Sequence, residues 1–66
     1  MREILDRLVG EMVDKGIRYE DARREFEKRF ISRVVEHCDG NLGRAAGTLG
    51  IHRNTLSRKL QELKLK

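Results

Sequence analysis

The 66-residue sequence predicts an all-α protein of four helices. Through most of the chain, apolar residues recur three or four positions apart, which is the spacing of one face of an α-helix. No stretch alternates apolar and polar residues as a half-buried strand does, and the chain contains no proline. We therefore expect one domain over residues 1–66, with two helices in residues 1–39 and a helix-turn-helix in residues 41–63.

The first helix, predicted over residues 1–15, has more apolar side chains than one face of a small monomer can cover. A chain of this length buries only about 60% of its unfolded surface, so a monomer would be marginally stable. We predict that the helices of residues 1–39 join two subunits in a dimeric bundle. The predicted dimer interface comprises Leu5, Leu8, Met12, Phe26 and Phe30. The alternative is an ordinary core helix that packs on the second helix of the same chain.

The second helix is predicted from Tyr19 to His37 or Cys38, ahead of a break at Asp39-Gly40. Its first half carries the large apolar anchors of the predicted dimer. Its second half is expected to form the wall on which the helix-turn-helix packs. Cys38 is the only cysteine and belongs to the apolar side of this helix, so we predict a small core residue rather than a redox site.

Residues 41–63 contain the features that a helix-turn-helix needs. Gly50 permits a sharp change of direction, because a residue without a Cβ adopts positive φ at low cost. Asn41 is a good N-cap for the helix before the turn. The apolar residues of the two helices recur at helical spacing and predict a shared core of Ala45, Ala46, Leu49, Ile51, Leu56, Leu60 and Leu63. We predict the recognition helix over about residues 53–63.

The outer side of the predicted recognition helix carries side chains that can read base edges. When its leucines face the core, Asn54 and Arg58 point away from it, and Arg53 lies in the first turn. Arg binds guanine O6 and N7 through two donors, and Asn binds adenine in the same manner. We predict that these three side chains face bases. The alternative is an ordinary solvated polar face, since charged clusters are common on helices.

Positive charge is concentrated at the same end of the chain. Residues 44–66 contain six Lys or Arg and one acid, which gives a net charge of +5, whereas residues 1–43 have a net charge of −1. This division is typical of a polyanion-binding end on a neutral scaffold. Arg44, Thr55 and Lys59 lie at the rim of the predicted base-facing surface, where contacts with phosphates are expected.

One motif covers about a third of the chain and consists of Gly40-Asn41, Arg44-Ala45-Ala46, Leu49-Gly50-Ile51, Arg53-Asn54-Thr55-Leu56 and Arg58-Lys59-Leu60. This motif resembles the C-terminal domain of the Fis (factor for inversion stimulation) family. It is also similar to the DNA-binding domains that end NtrC-type, sigma-54-dependent activators. The resemblance implies a homodimer in which two N-terminal helices per subunit form a bundle and each helix-turn-helix enters a major groove.

The resemblance also implies roles for single residues. Asn41 and Arg44 are expected to contact phosphates. His52 occupies the predicted N-cap of the recognition helix, where Asn or Ser would cap better, and is expected beside a phosphate as well. The residues implied at base edges are Arg53, Asn54, Ser57 and Arg58.

Other classes of site find little support in the sequence. His37 and His52 have no acidic or thiol cluster between them, which argues against a metal site. Ser57 and His52 belong to one helix at a separation that puts them on different sides, so nucleophilic catalysis is not expected. No glycine-rich loop has the Lys-Ser/Thr of a phosphate-binding loop. We therefore expect neither enzymatic activity nor a cofactor.

The sequence therefore predicts a sequence-preferring, DNA-binding homodimer that regulates bacterial transcription. Its expected partner is double-stranded DNA, joined by upstream regulatory domains or sigma-54 RNA polymerase if it ends a longer activator. No apolar run reaches membrane-spanning length and no signal peptide is evident, so we expect a cytoplasmic protein of the bacterial nucleoid. One alternative is an architectural protein that bends DNA with low sequence specificity. Another is a helical protein-interaction module whose basic end is incidental.

Overall fold

The computed structural model describes residues 1–64, and that range contains four α-helices. They are α1 (Arg2–Asp14), α2 (Tyr19–His37), α3 (Leu42–Leu49) and α4 (Arg53–Glu62). Residues 1–64 contain no strand, so the predicted all-α class with four helices is confirmed. Leu65 and Lys66, which end the predicted domain, lie outside the described residues. None of the described helices combines the length and hydropathy that crossing a bilayer requires.

The turn between α3 and α4 is made by a glycine in the left-handed conformation. Gly50 follows the last residue of α3 with φ 73°, as predicted. The Ile51 N–H donates to the Ala46 carbonyl at 3.0 Å, and the Gly50 N–H donates to the Gly47 carbonyl at 3.2 Å. These two bonds satisfy carbonyls that the end of a helix leaves without partners. The chain can therefore change direction within three residues and begin α4 at Arg53.

The connection between α2 and α3 is one residue longer and comprises residues 38–41. Asp39 and Gly40 both have positive φ, 54° and 79°, and the Gly40 N–H donates to the Val35 carbonyl at 3.0 Å. Asn41 then caps α3, because its side-chain oxygen accepts the backbone N–H of Arg44 at 3.0 Å. The predicted break and the predicted cap are both confirmed. Together they reverse the chain so that α3 packs on α2.

The hydrophobic core lies among the second half of α2, α3 and α4. Ala45 and Leu56 are completely buried, and the small side chains of Ala45 and Ala46 allow α3 to lie close to its neighbours. The buried residues are Ile31, Cys38, Ala45, Ala46, Leu56, Leu60 and Leu63. Half-buried apolar residues pack against them: Val34, Val35, Leu42, Leu49 and Ile51. The predicted core of the helix-turn-helix is confirmed, and so is the core position of Cys38.

The first half of the chain, in contrast, leaves its apolar side chains exposed. No residue of α1 is buried. Phe26 and Phe30 of α2 stack at a distance of 5.5 Å between ring centroids, yet they are 54% and 53% exposed. The alternative of an ordinary core helix does not hold for α1, because a core helix would bury one side against α2.

Charges along α2 form ion pairs within the helix. The Arg23 guanidinium donates to both carboxylate oxygens of Glu20, through Nε and Nη2, at 2.9 Å each. These hydrogen bonds, together with the positive charge of Arg23, hold the pKa of Glu20 below its ordinary value of 4.5. Because the folded state lowers this pKa, the pair stabilises the fold above pH 4.5, and the stabilisation is lost as the pH falls through the folded pKa.

We expect Glu20→Gln to lower the melting temperature slightly at neutral pH and to have a smaller effect in acid. Thermal melts followed by circular dichroism at about pH 7 and about pH 3 measure the difference between the variant and the wild type. Asp21→Asn removes a carboxylate from the same helical turn and controls for the helix dipole. A difference for Glu20→Gln that stays constant between the two pH values would contradict the prediction.

Candidate nucleic-acid interface

α4 lies at the surface with one side in the core and the other side open to solvent. Leu56 and Leu60, which are 0% and 6% exposed, fix its inner side. The outer side carries the residues predicted to face bases: Arg53, Asn54 and Arg58 are exposed, and Ser57 is half-buried. The structure therefore carries these four residues on one helix, and it exposes Arg53, Asn54 and Arg58 as the leucine spacing predicted.

A histidine caps α4. The Nδ1 atom of His52 accepts the backbone N–H of Asn54 at 3.0 Å, and α4 begins at Arg53. An Nδ1 that accepts a hydrogen bond carries no proton, so the neutral ring holds its proton on Nε2. His52 therefore caps the helix, although Asn or Ser is the usual residue at this position. The exposed ring offers an Nε2–H donor beside the start of the predicted recognition helix.

The residues predicted to contact phosphates lie mainly at the beginnings of α3 and α4. Asn41 uses its side-chain oxygen as the α3 cap, which leaves its NH₂ group as a donor, and Arg44 is exposed one turn further on. His52 and Thr55 lie at the start of α4, where Thr55 is half-buried. Free backbone N–H groups and the helix dipole favour negative charge at a helix N-terminus, which suits a phosphate.

Lys59 lies in a different environment from the other predicted phosphate contacts. Its Nζ is 2.7 Å from Oε2 of Glu27 on α2, and Glu27 also accepts a hydrogen bond from Arg23. A second bond joins α2 to the end of α4, since Arg24 Nη2 donates to the Glu62 carbonyl at 3.2 Å. The sequence prediction missed both α2 partners. The pairing rule for helices finds partners three or four residues apart and carries no information on contacts between helices.

The predicted dimer residues all line one open groove between α1 and α2, with a volume of about 830 Å³. We name it the α1–α2 groove, and the predicted residues in it are Leu5, Leu8, Met12, Phe26 and Phe30. Charged side chains of both signs also line it: Glu11, Lys15, Arg23, Glu25, Arg29 and Arg33. The structure therefore gathers the five predicted residues on a single apolar surface.

Comparison with known families decides which class this helix-turn-helix represents. Residues 22–63 match the family model described as "Bacterial regulatory protein, Fis family". The chain belongs to the Fis family. The match begins inside α2 and includes all of α3 and α4. The Fis-type helix-turn-helix is a non-enzymatic, DNA-binding fold of transcription regulators. Within residues 1–64, no group of His, Cys, Asp or Glu side chains is arranged to hold a metal ion.

Individual relatives of this Fis-family chain come from several bacteria. A protein of Xylella fastidiosa (strain Temecula1), whose name describes it as Fis-like and DNA-binding, is 50% identical over 44 residues, which are 67% of this chain and 49% of the relative. The DNA-binding transcriptional regulator NtrC of Klebsiella pneumoniae is 36% identical over 62 residues, covering 85% of this chain and 13% of the regulator. The regulatory protein LuxO of Vibrio parahaemolyticus is 51% identical over 35 residues, covering 53% and 8% of the two chains.

The chain spans about half the length of the first of these curated relatives and a smaller part of the others. No solved structure matches it significantly. The comparisons therefore establish the family of the domain.

Proposed function

We propose that this protein is a sequence-preferring, DNA-binding homodimer that regulates bacterial transcription. The observation that carries the proposal is the outer side of α4, where Arg53, Asn54 and Arg58 are exposed while Leu56 anchors the inner side. A recognition helix needs a buried side that holds it to the domain and exposed hydrogen-bond donors that match base edges. In this proposal α4 enters the major groove, and Ser57 contacts bases beside Arg58.

Contacts with phosphates would orient the recognition helix in the groove. We assign them to Asn41 and Arg44 near the start of α3, and to His52 and Thr55 near the start of α4. The exposed Nε2–H of His52 supports this assignment, because it leaves a donor free while Nδ1 caps the helix. The phosphate contact predicted for Lys59 is not included in this assignment, because its ammonium is paired with Glu27.

The homodimer is proposed from the α1–α2 groove. Exposed side chains such as Leu8, Phe26 and Phe30 form an apolar surface that the rest of residues 1–64 leaves uncovered, and a surface of this kind marks a protein contact. Acids and bases both line this surface, and a two-fold axis can pair Glu11 or Glu25 of one copy with Lys15 or Arg29 of another. A second copy of this chain is therefore the proposed occupant. Its symmetry predicts an inverted-repeat operator with half-sites about one helical turn apart.

The wider setting follows from the relatives. Because the chain matches only 13% of NtrC and 8% of LuxO, we propose that it either acts alone or ends a longer activator. In the second case its further partners are upstream regulatory domains or sigma-54 RNA polymerase. In both cases we propose a place in the bacterial cytoplasm, on the nucleoid.

Selection of binding sites from random duplexes tests the proposal. We expect the selected duplexes to contain inverted repeats and to bind about 10³-fold or more tightly than random duplexes at physiological salt. A small difference between selected and random duplexes would favour the architectural alternative. Dimerisation without DNA binding would favour the interaction module and end the proposal.

Arg58→Ala is expected to weaken binding to the selected duplex by about 1–3 kcal/mol and to relax the preference at one base position, because it removes a two-donor guanine contact. Titration of the selected duplex and its single-base variants measures both effects. Lys28→Ala, which removes the same charge from the exposed side of α2, should change the two affinities equally. An equal loss on selected and random duplexes would reassign Arg58 to a phosphate.

A further inference from the structure

The recognition helix is fixed to α2 by an ion pair. Lys59 Nζ of α4 lies 2.7 Å from Oε2 of Glu27. The other ion pairs within residues 1–64 lie inside α2, so this one alone joins two helices. The side chains of Glu27 and Lys59 are 20% and 31% exposed. Partial burial reduces screening by water, so this pair is held more tightly than the pairs on the open side of α2.

Glu27 is also held from its other side. Its Oε1 atom accepts a hydrogen bond from Arg23, whose guanidinium makes two further bonds of 2.9 Å to Glu20. Each carboxylate oxygen of Glu27 therefore has its own cation, one on α2 and one on α4. Such charge-assisted bonds fix the side chain in one position. The ionic chain Glu20–Arg23–Glu27–Lys59 runs from the first turn of α2 to the last turn of α4.

We propose that Glu27 and Lys59 are positioning residues that set the orientation of α4 on α2, and that Lys59 is not a phosphate contact. Lys59 directly follows Arg58, so holding its ammonium adds to the burial of Leu56 and Leu60 in restricting the rotation of α4 about its own axis. That rotation decides whether Arg58 and Asn54 meet the base edges. This inference rests on the proposed DNA-binding function, and it assigns to α2 a part in base recognition.

The ion pair between Glu27 and Lys59 has a second consequence, because Glu27 directly follows Phe26 in α2. Phe26 lines the α1–α2 groove, where the partner subunit is proposed to bind. α2 therefore carries the dimer contact on one side and the anchor of the recognition helix on another. A turn of α4 relative to α2 would change the separation of the two recognition helices and hence the half-site spacing that the dimer accepts.

A phosphate contact that turned the Lys59 ammonium away from α2 would break the 2.7 Å pair. It would also leave a partly buried carboxylate with Arg23 as its remaining partner, which costs free energy. Arg44 and Arg53, in contrast, are exposed and form no ion pair among the described residues. We therefore assign the positive charges that contact DNA to Arg44 and Arg53 and not to Lys59.

The test is a double-mutant cycle with Glu27→Gln, Lys59→Met and the double variant. Met keeps the unbranched stem of Lys and its helix propensity. The affinities for a selected duplex and a random duplex are measured over a range of salt concentrations, with circular dichroism and sedimentation to show that each variant is folded and dimeric. Glu36→Gln and Lys28→Met are the matched controls, because they make the same charge changes at exposed positions of α2 that form no ion pair with α4 and do not line the α1–α2 groove.

We expect each single variant to lose about fivefold to tenfold in affinity for the selected duplex relative to its control, and the double variant to lose no more than the single ones. The random duplex should bind Lys59→Met and Lys28→Met equally. The salt dependence of Lys59→Met should match that of Lys28→Met, because no phosphate contact is lost.

Three results would overturn the inference and leave the proposed function intact. One is a slope of log K against log salt that falls by about one unit in Lys59→Met but not in its control, which is the mark of a lost phosphate contact. Another is an equal loss by Lys59→Met on both duplexes. The third is a Glu27→Gln protein that behaves as Glu36→Gln does. Failure of the wild-type protein to bind any duplex would instead end the proposed function, and the inference with it.

Discussion

Phe30→Asp is expected to convert the dimer into monomers and to remove most of the affinity for the operator. Phe30 is 53% exposed within one chain and stacks on Phe26 in the α1–α2 groove. In the proposed dimer the two-fold axis would bring two copies of the new carboxylate into an apolar contact, where unpaired charge is strongly unfavourable. A dimer that binds two half-sites gains about 10²–10⁴ in affinity over one half alone, and a monomer forfeits that gain.

Sedimentation equilibrium and duplex titration measure the two effects of Phe30→Asp. The fold of the helix-turn-helix should survive, because Phe30 lies outside the core that its neighbour Ile31 enters. Ser32→Asp is the matched control, since it puts the same charge on an exposed position of α2 that does not line the α1–α2 groove. A folded Phe30→Asp monomer that still binds the operator tightly would contradict both the interface and the proposed homodimer.

Leu56→Ala is expected to destabilise the domain by about 2–5 kcal/mol, since it removes a fully buried side chain and leaves a cavity. Leu56 is the largest side chain that is completely buried, and it belongs to the core shared by α2, α3 and α4. Small domains have only about 5 kcal/mol of stability or less to lose. DNA binding should therefore fall with the folded fraction rather than through any lost contact.

Urea titration followed by circular dichroism measures the loss in Leu56→Ala. Ile4→Ala is the control, because it also shortens an aliphatic side chain but one that is 74% exposed on α1 and outside the α1–α2 groove. The control should change the free energy of unfolding by about 0.5 kcal/mol or less. Equal effects of the two substitutions would show that the core is wrongly placed.

The fold was largely predictable because its determinants are local. Gly50 and Asn41 act within one turn of a helix, and the spacing of Leu56 and Leu60 alone decides which side of α4 is buried. The same spacing predicts the exposed side, so the orientation of Arg53, Asn54 and Arg58 was predictable from the sequence alone. Their contacts with bases stay predictions, because the exposure of a side chain does not show which molecule it binds.

Contacts between helices were not predictable. The bond of Glu27 to Lys59 depends on how α2 and α4 cross, which periodicity within either helix does not determine. The apolar excess of α1 was evident from its composition, but the groove that it forms with α2 follows from their relative tilt. His52 illustrates a third case, because capping by Nδ1 depends on the ring orientation and tautomer, which residue type leaves open.

The absence of α1 from the buried core has a consequence for how such proteins diverge. Within residues 1–64, the buried apolar core of the helix-turn-helix begins at Ile31, and α1 supplies none of it. Substitutions in α1 are therefore constrained by the contacts that its apolar side makes with a partner and not by the stability of the helix-turn-helix. Residues 15–18 connect α1 to α2. Recombination within this connection can therefore exchange α1 for another dimerisation helix while the helix-turn-helix stays unchanged.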